Sequence, residues 1–192
     1  MIYRLQLLFI LLIVAVSCTQ SEYTRMVRSE LAKGTRKDSV LLGIYFGDSM
    51  SIFRDKCLAL NKQHLTMQGE GIHVQYLFND SLSGKVPLTV KLLFKPEFDE
   101  RETLAAMELK FTYLGWAPWN RNLYSDSSKQ RVINWLYTWY KGNKFVTAHV
   151  NNLDLPVKVD GNRRILVYED QPQYVVVRIE DLTSPLYRKS VE

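Results

Sequence analysis

Three histidines, two cysteines and a run of carboxylates after Pro96 are the side chains from which acid–base, nucleophilic or metal chemistry would have to be built. His64, His73 and His149 are scattered and none opens a short-spaced ligand pair, so neither a metal nor another cofactor is expected. No serine stands in a G-x-S-x-G turn, and no glycine-rich phosphate loop occurs. Glu97, Asp99, Glu100 and Glu102 could pair as glycosidase carboxylates do, but their place between two strand patterns reads as a solvated turn. Cys57 falls on the apolar side of a helical pattern, where a thiol packs rather than reacts. The remaining set suits binding: Trp116 and Trp119, whose indoles offer flat apolar faces and one donor, with Asn120, Arg121, Arg163 and Arg164. Core closure is the competing role for the two tryptophans, and their size favours it.

The first residues carry a different chemistry. Arg4 precedes an apolar run from Leu5 to Val16 broken only by Gln6, which has the layout of a secretory signal. A membrane span needs about 20 apolar residues, and this run stops short of that. Ala15-Val16-Ser17-Cys18 resembles the lipobox of bacterial lipoproteins, in which the cysteine becomes the acylated first residue of the mature protein. The resemblance implies that Cys18 is the lipid attachment site, that residues 1–17 are removed, and that the bilayer is one partner. Several acyl chains on one residue give stable anchoring where a single chain does not. An acylated Cys18 leaves Cys57 without a thiol partner, so no disulfide is expected.

The chain carries 25 basic and 20 acidic residues, a formal net charge of +5. The basic residues are dispersed among acids, which excludes the continuous basic track of a nucleic-acid partner. Arg25, Arg28, Lys33, Arg36 and Lys37 lie close to the proposed tether, where anionic headgroups are one counterpart and solvent another.

The elements that must position these residues follow from periodicity. Glu22 to Lys33 places Tyr23, Met26, Val27 and Leu31 at helical spacing between a capping Ser21 and a terminating Gly34. Val40 to Phe46 reads as a buried strand. Phe53, Cys57 and Leu60 make one face of a helix near residues 49–61, and three alternating strands follow it: Ile72 to Phe78, Val86 to Phe94 and Met107 to Tyr113. Gly115 to Tyr124 is a loop despite its aromatics. Val132, Leu136, Trp139 and Tyr140 then form the stripe of a helix near residues 127–141, followed by strands from Phe145, Leu155, Arg164 and Tyr174, with a hairpin at Asp160-Gly161-Asn162. The expected fold is α+β: two successive helix-plus-antiparallel-strand units sharing one sheet, preceded by a short amphipathic helix. Residues 1–17 form the signal, 18–38 a tethered segment with that helix, and 39–192 a single domain.

The stretch from Leu42 to Phe53, with Trp116-Ala117-Pro118-Trp119-Asn120 and Val159-Asp160-Gly161-Asn162-Arg163-Arg164, looks like a family of uncharacterised Bacteroidota lipoproteins. A strand running through a glycine into a capped helix is similar, at fold level, to small lipoproteins of outer-membrane protein assembly and to tandem αβ inhibitor domains. These resemblances imply an envelope address and a protein partner, with no chemistry attached. Some Bacteroidota lipoproteins carry a run of acids just after the acylated cysteine that sends them to the cell surface; here only Glu22 follows Cys18 closely, a departure that implies the periplasmic side of the outer membrane. The expectation is therefore a non-enzymatic, membrane-anchored lipoprotein that binds another envelope protein. A glycan-binding module using the aromatic loop and a hydrolase with an undisclosed site are the alternatives.

Overall fold

The computed structural model describes residues 21–80, 87–150 and 153–188; Cys18 and the leader lie outside them. Among the described residues the fold is α+β, with a large antiparallel sheet and four helices. Helix α1 (Glu22–Ala32) is followed by a short hairpin, β1 (Ser39–Leu41) and β2 (Ile44–Tyr45), and then by α2 (Met50–Lys62). Four strands come next: β3 (Thr66–Gln68), β4 (Val74–Asp80), β5 (Leu88–Phe98) and β6 (Leu104–Tyr113). Helix α3 (Ser125–Trp139) leads into β7 (Val146–Val150), β8 (Leu153–Asp160), β9 (Arg163–Asp170) and β10 (Tyr174–Asp181), and α4 (Pro185–Arg188) ends the described chain.

The eight strands lie in the order β3-β4-β5-β6-β10-β9-β8-β7, so the last strands of the two meanders meet at the centre. That seam is antiparallel, from Val175 opposite Phe111 to Glu180 opposite Ala106. Side chains alternate across a strand, and the alternation here splits into two cores. Met107, Leu109 and Phe111 of β6 join Val175, Val177 and Ile179 of β10 in the larger one, with Phe53 from α2 and Val132, Ile133, Trp135 and Leu136 from α3. On the other face, Val157 and Val159 of β8, Leu166 of β9 and Leu182 pack against Val27 of α1.

Two local readings are corrected. Val40 to Phe46 is a hairpin and not a continuous strand: Leu42 and Gly43 both take positive φ, 49° and 78°, the backbone of a tight two-residue turn. The apolar character of Leu42 conceals that turn from a pattern of hydrophobicity. The first meander also has four strands, because β3 pairs with β4 from Thr66 opposite Tyr76 to Gln68 opposite Val74; three residues are too few to show alternation.

Helix α1 and the segment after it are fastened to the β8–β9 hairpin. The Gly161 amide donates to Glu30 Oε2 at 2.9 Å, and the Lys37 amide donates to Asn162 Oδ1 at 2.6 Å. Asn162 Nδ2 in turn donates to Asp38 Oδ1 at 3.1 Å and Asp181 Oδ1 at 3.0 Å. Burial acts to raise the Glu30 pKa, but the Gly161 amide and the contacts of Lys33 and Asn143 outweigh it and hold the carboxyl below its ordinary value. The chain crosses so closely that a Cβ on Gly161 would lie 2.1 Å from the Thr35 carbonyl oxygen.

Gly161, at φ +57°, therefore meets both a backbone collision and an unfavourable conformation on substitution. Gly161→Ala is expected to lower unfolding stability by roughly 2–4 kcal/mol. Gly71 has a similar φ, +59°, with nothing within 4 Å, so Gly71→Ala should cost only about 1 kcal/mol. Urea unfolding of the two variants measures the difference, and equal losses would show that the Thr35 crossing yields freely.

Candidate functional site

The loop between β6 and α3 is built from its base outward. The Trp116 amide donates to the Tyr113 carbonyl at 3.0 Å as the chain leaves the sheet, and the Asn120 amide donates to the Ala117 carbonyl at 2.9 Å. A short 3-10 turn, Arg121–Leu123, follows and drives Leu123 into the core. The Trp116 ring packs partly buried against that core and lies 5.9 Å from the Tyr124 ring. Tyr124 donates its hydroxyl to the Pro118 carbonyl at 2.6 Å, while the Arg121 guanidinium sits 4.3 Å above the Tyr124 ring. Each contact pins the turn to α3. What it presents is Trp119, whose residue surface is 86% exposed. Asn120 is half-buried beside it, and Arg121 is exposed with its guanidinium 3.9 Å from Asp126.

The two tryptophans thus separate. Trp116 takes the packing role, with its indole N–H buried and unpartnered among the described residues. Trp119 does not close a core.

Arg163 and Arg164 require a correction, because they offer no surface for a partner. They are 5% and 9% exposed. Arg164 Nε donates to Glu180 Oε2 at 2.7 Å and Nη1 to the Tyr23 hydroxyl at 2.7 Å. Arg163 Nη1 donates to the Ser39 carbonyl at 2.9 Å, and its guanidinium lies 4.5 Å over the buried Tyr140 ring. Beside them Lys158, with no exposed surface, donates to Asp160 Oδ1 at 3.1 Å and to the Asn143 carbonyl at 2.5 Å. A polar hairpin with two arginines resembles a surface turn in sequence; the N-terminal segment folding over it makes it interior.

Nor does the fold bring the two segments together. The β8–β9 hairpin adjoins the end of β10 at Asp181 and the start of β6 at Ala106, whereas the Trp119 loop leaves the far end of β6 at Tyr113. A strand of this length separates its ends by about 30 Å. Of the residues expected to bind, Trp119, Asn120 and Arg121 share a loop, Trp116 supports it, and the two arginines belong to an ion-pair network elsewhere.

Two clefts were not legible in the sequence. One, of about 320 Å³, lies between the β1–β2 turn and the end of α3, lined by Leu42, Tyr76, Phe78, Trp139 and Tyr140 among others. Tyr76 and Phe78 stack there at 5.7 Å, and Trp139 meets Phe78 edge-on at 5.6 Å. The aromatic i, i+2 pair on β4 was the available signal. The other, of about 350 Å³, is polar and lined by Arg36, Asp99, Arg101, Thr103, Asp181 and Ser184 among others. Burial acts to raise the Asp99 pKa, but hydrogen bonds from Thr103 and Arg101 prevail and keep it below the ordinary range. These carboxylates are occupied by their own neighbours.

The remaining chemistry-bearing residues are dispersed. Cys57 is half-buried against the larger core, and burial pushes its thiol up to about 11, so it stays protonated near neutrality. His149 pairs with exposed Asp154 at 3.0 Å, and the His73 ring contacts the Glu70 carbonyl at 2.9 Å. Glu97 holds Arg178 at 2.5 Å, while Glu100 and Glu102 are solvent-facing. Among the described residues no three His, Cys, Asp or Glu side chains converge as a metal site would need. Comparison with known families, with curated proteins and with solved structures gave no match.

The geometry fixes opposite responses to truncation. Trp119→Ala should leave the melting transition within about 0.5 kcal/mol of the wild type, as for other exposed positions. Trp116→Ala should lose roughly 2–3 kcal/mol because it opens the loop base, and Arg164→Ala roughly 2–4 kcal/mol because it leaves the buried Glu180 carboxylate with Arg178 as its one remaining arginine and takes away the Tyr23 contact. Denaturant titration of all three tests the assignment; comparable losses at Trp116 and Trp119 would overturn it.

Proposed function

We propose that the protein is a non-enzymatic lipoprotein of the cell envelope, anchored through Cys18 in the outer membrane, facing the periplasm, and holding another envelope protein through the Trp119 loop. The observation that carries the binding reading is the exposed indole of Trp119 on a turn whose base is pinned by Trp116, Tyr124 and Arg121. A large, flat anchor held in place before binding loses little conformational freedom when it is covered. Tryptophan and arginine are also the residues over-represented where binding energy concentrates. A protein partner suits this arrangement better than a glycan, because Trp116 is turned into the core and leaves a single stacking platform.

The lipobox-like Ala15-Val16-Ser17-Cys18 supports the anchor, as does the likeness to Bacteroidota lipoproteins. No helix among the described residues is long and apolar enough to cross a membrane. We also read the chain as two related units, α2 with β3–β6 and α3 with β7–β10, joined edge to edge at their last strands. The mirrored strand order supports that reading.

Two measurements test the proposal. Cys18→Ala should abolish incorporation of labelled palmitate, and unchanged labelling would sink the anchor. In crosslinked pull-downs from envelopes, Trp119→Ala should reduce capture of one stoichiometric protein by about thirty-fold, the equivalent of a central hot spot worth about 2 kcal/mol. Retention on cell-wall or capsule glycans with no captured protein would favour the glycan reading instead.

A further inference from the structure

Helix α1 is packed on one side only. Its apolar residues Tyr23, Met26, Val27 and Leu31 belong to the smaller core, so at 3.6 residues per turn the opposite side carries Arg25, Arg28 and Ala32. Arg25 and Arg28 are exposed, lie three residues apart on a shared face, and have no ion-pair partner among the described residues. Lys37, just beyond the helix, is likewise exposed and without an ion-pair partner there.

The acids of the same segment face the other way. Glu30 is buried against Gly161 and paired with Lys33, and Asp38 is taken by Arg36 at 2.8 Å and by Asn162. Only Glu22 stays exposed, in the first turn, where the helix dipole holds a carboxylate favourably. The fold therefore sorts a mixed segment into a neutralised inner side and a basic outer side.

We infer that this outer side of α1 docks on an anionic lipid surface. The inference rests on the proposed acylation of Cys18 for its setting. Three residues lead from Cys18 to the capping Ser21, a reach of at most about 10 Å, which is close to one Debye length at physiological salt. Arginines held that near an anionic leaflet feel its potential, and each contributes about a five-fold preference for the surface. The consequence is orientation. Helix α1 covers the sheet face opposite the one that carries α3, so a bilayer under Arg25 and Arg28 leaves the Trp119 loop, which feeds α3, turned away from the lipid.

The test uses the full chain carrying Cys18→Ala, so that acylation plays no part, with vesicles of phosphatidylcholine alone or with about one-third phosphatidylglycerol. The leader, with its cationic Arg4, is common to every variant, so its pull on anionic lipid cancels when variants are compared on the same vesicles. Binding should favour the anionic vesicles, and the preference should collapse at high salt. Arg25→Glu with Arg28→Glu should weaken binding to anionic vesicles by at least about twenty-fold, with an unchanged melting transition, whereas Arg54→Glu on α2 should have no such effect. Equal binding to both vesicles, or an anionic preference undiminished by the double reversal, would overturn the inference. Loss of palmitate labelling in the wild type would overturn the anchor alone and leave the vesicle result standing.

Discussion

The pairing of β6 with β10 is the interaction on which the rest of the architecture depends. The two strands come from different halves of the chain, and their side chains are buried along the whole shared length on the helix side and in part on the other. Met107, Leu109, Val177 and Ile179 are inaccessible on the helix side, and Ala106 and Val176 are nearly so on the other. Each half taken alone would present that edge and that apolar surface to water, and an unpaired edge strand invites association. Joined, they give one continuous sheet on which α2 and α3 share a face and α1 takes part of the other. The seam also sets the two polar ends apart, because the Trp119 loop leaves one end of β6 while the β8–β9 hairpin adjoins the other.

The hairpin end is held by charges rather than by apolar packing. Lys158, Asp160, Arg163, Arg164 and Glu180 lie inside, each with a partner of opposite charge. Such pairs gain little net stability over apolar residues of equal volume, since desolvation offsets most of their attraction. They do penalise alternatives: a register slip or a displaced N-terminal segment would strand a buried charge, which is far more costly than losing a methyl contact. The carbonyls of Ser39 and Val40, which accept from Arg163 and from the Tyr140 hydroxyl, extend the same constraint to the β1–β2 hairpin. The polar knot thus specifies where the N-terminal segment goes, while the two apolar cores supply most of the driving force.

The parts of this fold legible in sequence are those whose signal is local and long. Helices α1, α2 and α3 show apolar residues at helical spacing, and β4, β5 and β6 alternate in sequence over many residues. What failed was either short or non-local. Strand β3 has three residues, and the turn at Leu42-Gly43 hides inside an apolar run. The interior position of Arg163 and Arg164 depends on Glu30, Lys37 and Tyr23, more than a hundred residues earlier, and no property of the hairpin itself announces that cover. The loop site divides for the same reason. Composition singles out Trp116 and Trp119 together, but only the packing of Tyr124 and Leu123 decides which indole turns inward.

Fastening α1 to the body of the protein changes what an anchor at its N-terminus would accomplish. A lipid on a loose linker limits distance from the membrane and leaves the domain free to tumble, so that a binding loop samples every direction. For the proposed anchor at Cys18 the linker would be three residues, and the helix beyond it is tied by its apolar face, by Tyr23 to Arg164 and by Glu30 to Gly161. Those ties run into β8 and β9, which pair strand by strand through β10 to β6 and the loop that carries Trp119. A constraint on α1 is therefore transmitted through hydrogen-bonded strands to the exposed indole. With Cys18 acylated as proposed, a tether and a basic helix face would raise the effective concentration of the loop for a partner in the same compartment without any added contact.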